Sequence, residues 1–84
     1  MPHIIVKLWP GKTAAQKQLL SDAIVEDVKT VLNYGDDAVS IAFEEIPPEE
    51  WSTQVYEHEI QAKWNNLTKI PGYGPGLQSK LKGN

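Results

Sequence analysis

Residues 3–46, HIIVKLWPGKTAAQKQLLSDAIVEDVKTVLNYGDDAVSIAFEEI, read in turn as strand, helix and strand, and that order decides the fold. From His3 to Trp9 the chain alternates. Ile4, Val6 and Leu8 fall on one face, and His3, Ile5, Lys7 and Trp9 on the other. Pro10-Gly11 ends this strand. Thr13 makes a good N-cap, and Gln16 completes a capping box with it. Leu20, Ile24, Val28 and Val31 then recur at helical spacing, with Leu19 and Ala23 widening the stripe. Asn33-Tyr34-Gly35 supplies the stop, Gly35 being expected to take the left-handed conformation at the helix end. Val39 to Ile46 alternates again, with Val39, Ile41 and Phe43 on one face. Two strands joined by a helix form a βαβ unit, so the strands are parallel and the crossover right-handed.

Working outward, Pro47-Pro48-Glu49-Glu50 opens a second helix. Proline suits a first turn, and the two carboxylates suit the positive end of the helix dipole. Tyr56, Ile60, Trp64 and Leu67 trace one face of it, with Trp51 and Val55 beside them, and Ile70-Pro71-Gly72 closes it. Residues 74–84 are glycine-rich and lack periodicity, and they are expected to form a flexible tail to a domain over 1–73. The fold class is α/β: a βαβ protomer with two parallel strands, a long crossover helix and a second C-terminal helix. Such a sheet has unpaired edges and half a core. Self-association that extends the sheet answers both, so at least a dimer is expected.

At 84 residues the chain makes one small domain. Chains of this size usually need a disulfide, a metal or a partner subunit, and the absence of cysteine excludes disulfides and thiolate metal sites. His3 and His58 are far apart and have no ligand spacing. A net charge of −3 without a basic run argues against nucleic acid. The start, MPHIIVKLWPGK, lacks the features of a signal peptide, and no stretch has the length of a membrane span. A cytoplasmic location is expected, where Asn66-Leu67-Thr68 would meet no glycosylation machinery. All basic residues are lysines. Glu49-Glu50 is read as dipole complementation, and Gly72-Tyr73-Gly74-Pro75-Gly76 is no phosphate loop, since its proline removes a donor.

Pro2 carries the sharpest chemistry. Initiator methionine is trimmed before small residues, and trimming here would leave a secondary amine at the start of a strand. An amine held rigidly beside Ile4 and Ile5 is desolvated, which moves its pKa toward neutrality and suits it to take and return a proton. Pro2, Pro10-Gly11-Lys12, the long amphipathic helix and Val39-Ser40-Ile41 together resemble the 4-oxalocrotonate tautomerase family. Ser40-Ile41-Ala42, Ile46, Pro48, Trp51, Glu59-Ile60 and Pro71-Gly72-Tyr73 are closer to its phenylpyruvate-tautomerase-like dimeric branch, over residues 2–73.

The resemblance implies a tautomerase that interconverts enol and keto forms of a small 2-oxo acid. Pro2 would be the general base after Met1 is removed. It implies no cofactor, a small-molecule enol or 2-oxo acid substrate, and a homo-oligomer, with the branch favouring dimer over hexamer. Trp51 matches the family's apolar pocket residue. Lys12 and Ser40 stand where its best-known members carry two arginines that grip a dicarboxylate. Lysine is a point charge and serine is neutral, so a substrate with one carboxylate and an aromatic body fits better. Trp9 and Trp64 are read as packing or interface residues. The alternatives are a hydratase, dehalogenase or decarboxylase on the same fold, or a non-catalytic oligomeric interaction module.

Overall fold

The computed structural model describes residues 1–76. The chain divides into two compact units, Met1–Ile46 and Pro47–Asn84. The first unit is the expected βαβ. Strand β1 (His3–Leu8) pairs in parallel with β2 (Ser40–Glu45), in a register that sets His3 against Ser40 and Leu8 against Glu45. The connection is α1 (Ala14–Leu32). Its N-terminus carries the capping box: the Gln16 N–H donates to Thr13 Oγ1 at 3.0 Å, and the Thr13 N–H donates to Gln16 Oε1 at 2.9 Å. Such a cap stabilises a helix by about 1 kcal/mol.

The helix stop differs from the sequence reading. Asn33, not Gly35, adopts the left-handed conformation, at φ 62°, while Gly35 is extended at φ −79°. Asparagine visits that region at low cost because its short amide can bond locally. A single turn of 3-10 helix, Asp36–Ala38, then delivers the chain to β2.

Ile4, Val6 and Leu8 are half-buried, as the alternation predicts, while Ile5 on the opposite face is 47% exposed. The Lys17–Glu45 ion pair ties α1 to the sheet near the ends of the two strands. Yet no residue of Met1–Ile46 is fully buried, and Leu19 and Val31 on α1 are 71% and 76% exposed. The unit has the layers of an α/β fold and only part of a core.

The second unit starts with α2 (Pro48–Trp51), which runs without a break into a ten-residue π-helix, Ser52–Gln61. The helix ends there, short of Leu67, and a 3-10 turn, Trp64–Asn66, follows. Asn65 and Asn66 are weak helix formers, and Lys63 leaves helical geometry at φ −117°, ψ 33°. The buried pair Val55 and Tyr56, 4% and 3% exposed, is its core. Gly74 and Gly76 sit so close to Tyr56 that a Cβ on either would meet its side chain. Residues 77–84, most of the expected tail, lie outside the described residues.

Candidate active site

In a parallel pair both strands start at the same end of the sheet, so the register brings Pro2 beside Ser40. The Ser40 N–H donates to the Pro2 carbonyl at 3.2 Å, adding one more rung to the ladder before β1 begins. Pro2 is half-buried, and its main chain is held although it is the second residue. Met1 is 89% exposed. While Met1 is joined to it, the Pro2 nitrogen belongs to a tertiary amide and has no basic lone pair.

Ser40 has a second bond that sequence reasoning missed. Its Oγ lies 2.7 Å from His3 Nδ1, on the sheet face opposite Ile4 and Val6. The two residues are 37 apart in sequence, and only the strand register makes them neighbours. The same face carries the Lys7–Glu44 pair at 3.9 Å four residues further along.

Lys12 is exposed and lies in the connection between β1 and α1, after Gly11, which turns the chain at φ 124°. That connection follows the C-terminal end of β1, whereas Pro2 precedes its N-terminal end. At about 3.3 Å per residue, the strand separates the two positions by roughly 20 Å. The structure therefore brings Pro2 and Ser40 together and sets Lys12 apart from them within one protomer.

Trp51 lies in the second unit, at the last position of α2, and is half-buried. Its Nε1–H donates to the Tyr73 hydroxyl at 3.1 Å. Tyr56 in turn donates its hydroxyl proton to the Tyr73 carbonyl at 3.2 Å and accepts from the Gly76 N–H at 3.0 Å. Nothing in the sequence pattern announced this set, because the glycine-rich segment carries no periodicity. Its one legible signal was glycine at alternate positions 72, 74 and 76, which allows a ring to approach the main chain.

Among the described residues no three His, Asp or Glu side chains gather where they could hold a metal ion. No helix among them is long and apolar enough to cross a membrane.

Comparison with known proteins points one way. A sequence-family model described as "Tautomerase enzyme" matches residues 2–57. A probable tautomerase of Xylella fastidiosa (strain 9a5c) is 42% identical over 74 residues, covering 88% of this chain and 90% of that protein. Tautomerase PptA of Cronobacter sakazakii (strain ATCC BAA-894) is 36% identical, covering 87% of this chain and 97% of its own length. The crystal structure of YwhB, a homologue of 4-oxalocrotonate tautomerase, superposes with a TM-score of 0.53 at 28% identity, over 55% of this chain and 75% of that one. Apo unfused 4-OT superposes with a TM-score of 0.56 at 33% identity, over 58% and 80%.

Proposed function

The chain belongs to the tautomerase family, and from that premise we propose that it is a cofactor-independent keto–enol isomerase acting on a small 2-oxo acid, with Pro2 as proton carrier. Family membership gives a tautomerase-type isomerase. The observation that carries the choice of Pro2 is that the family match begins at residue 2, directly behind a methionine that is 89% exposed. Removing Met1 costs little packing and turns the amide nitrogen of Pro2 into a secondary amine. The Ser40 N–H on its carbonyl keeps the new terminus in place. The amine takes the proton of the enol hydroxyl and delivers a proton to the adjacent carbon, leaving the 2-oxo acid.

Lys12 holds the substrate carboxylate in this reading, and Trp51 supplies the apolar wall that keeps water out. Since Lys12 and Pro2 stand at opposite ends of β1, the lysine that serves a given Pro2 comes from a second protomer. The exposed Leu19 and Val31 and the open edges of the two-stranded sheet support self-association, and a dimer is the smallest assembly that provides both groups. A charge-assisted hydrogen bond contributes about 1.5–3 kcal/mol, so a site with lysine and serine in place of two arginines favours a monocarboxylate with an aromatic body over a dicarboxylate. The expected location is the cytoplasm.

The test is ketonisation of phenylenolpyruvate followed in the ultraviolet, on protein shown by intact mass to have lost Met1. Pro2→Ala lowers kcat/KM by on the order of 10²–10⁴-fold with an unchanged circular dichroism spectrum. Equal rates for variant and parent refute the assignment.

A further inference from the structure

We propose that Tyr73 is a positioning residue for Trp51, and that the π-helix exists to let one clasp hold both. The inference rests on the reading of Trp51 as a substrate-facing wall. An indole has a single polar atom, and here that atom is spent on the Tyr73 hydroxyl at 3.1 Å. A ring bonded at Nε1 keeps one plane and one rotamer, which a wall against a flat aromatic substrate requires.

Tyr73 belongs to no helix or strand, so something else must hold it. Tyr56 does so three times over. Its hydroxyl bonds the Tyr73 carbonyl at 3.2 Å and the Gly76 N–H at 3.0 Å. Its ring lies against that of Tyr73, with centroids 5.5 Å apart and planes at 56°. It also fills the space that a Cβ on Gly74 would need, and Gly74 has φ +92°. The main chain over residues 73–76 is thereby seated on one buried side chain, and the Tyr73 hydroxyl is carried to the indole.

The helix winding explains how Trp51 and Tyr56 reach the same partner. They are five residues apart, and an α-helix would turn them about 140° from each other. Hydrogen bonds of the i→i+5 kind, such as that from the Ala62 N–H to the Glu57 carbonyl at 3.1 Å, widen the turn and move residues five apart toward one face. Ten π-helical residues are unusual in an unstrained sequence, and such segments concentrate at functional sites. The winding places the wall and the clasp that orients it on the same side of the helix.

The experiment uses the Met-processed protein and phenylenolpyruvate. Tyr73→Phe keeps the ring, which belongs to a residue 49% exposed, and loses only the hydroxyl. It is expected to raise KM by about three- to ten-fold with kcat nearly unchanged, the signature of lost uniform binding. The Nε1–H resonance of Trp51, assigned by its disappearance in Trp51→Phe, moves in Tyr73→Phe while those of Trp9 and Trp64 stay. In the Trp51→Phe background, Tyr73→Phe adds no further change in KM. An unmoved resonance, or an unchanged KM when Trp51→Ala raises it, overturns the positioning role while leaving the reading of Trp51 intact. If Trp51→Ala leaves KM unchanged although Pro2→Ala is inactive, the wall itself is misassigned, and the role of Tyr73 falls with it.

Discussion

Removing one oxygen atom, in Tyr56→Phe, tests whether the glycine-rich segment is part of the folded unit. Tyr56 is 3% exposed, and its hydroxyl makes a buried bond from the Gly76 N–H at 3.0 Å and a part-buried bond to the Tyr73 carbonyl at 3.2 Å. Phenylalanine keeps the ring and its packing, so the transfer of apolar surface is unchanged. What changes is that a buried N–H loses its acceptor, a penalty of about 1–3 kcal/mol. The Tyr73 carbonyl, in an exposed residue, recovers most of its bond from water and adds about 0.5 kcal/mol at most. The sum centres near 2 kcal/mol.

For a chain of this length that lowers the thermal midpoint by roughly 8–16 °C. The assay is thermal unfolding by circular dichroism at one fixed protomer concentration, because association shifts the apparent midpoint by mass action. Amide hydrogen exchange at Gly76 supplies a local reading, protection being lost in the variant. A midpoint within about 2 °C of the parent, with unprotected Gly76 in both, would refute the reasoning, since the segment would then not be docked on Tyr56 at all.

Two further outcomes follow from the same geometry and from the end of α1. Gly74→Ala combines a strained φ of +92° with a Cβ driven into the Tyr56 ring, and it lowers stability by at least about 1–2 kcal/mol. Gly72→Ala, where a Cβ meets nothing within 4 Å, is neutral or stabilising by about 0.5 kcal/mol, and thermal unfolding of the pair distinguishes them. At the end of α1, a hydrogen bond and charge from Glu26, and then from Asp36, hold the Lys29 ammonium above its ordinary pKa of 10.5. A cation pKa raised on folding stabilises fully below the unfolded value and is lost as pH rises through the folded one. The difference in urea midpoint between parent and Lys29→Met is therefore constant between about pH 7 and pH 9 and shrinks only above 10.5.

Much of the first unit was legible because its signals are local. Period-two alternation marks β1, and Thr13 with Gln16 marks the start of α1. The parallel pairing follows from the length of the crossover alone. The helix stop was misplaced by two residues, because Asn33 and Gly35 are both competent for the left-handed conformation and only packing chooses between them. The second helix was visible as an apolar stripe, but its π-winding was not. Tyr56, Ile60 and Trp64 recur at spacings that suit an α-helix well, and the wider turn answers to Tyr73 and the glycines rather than to any propensity of residues 52–61.

Of the candidate site, Pro2 was nameable from residue type and position, and Lys12, Ser40 and Trp51 only through the family resemblance. Their arrangement was not. The strand register puts Ser40 against His3 and gives its N–H to Pro2, a relation between residues 38 apart that no local pattern encodes. The length of β1 sets Lys12 about 20 Å from the Pro2 of its own protomer. By itself, then, the sequence determined the βαβ order, the family and the residue types available for chemistry. The order and the residue types depend on periodicity, caps and composition, which act over a few residues at a time, and the family rests on the ordered resemblance over residues 2–73. Only the tertiary structure decided which of those residues meet, and that a segment without periodicity holds Trp51 through Tyr56 and Tyr73. Register, winding and close approach to glycine arise when distant parts of the chain exclude water together.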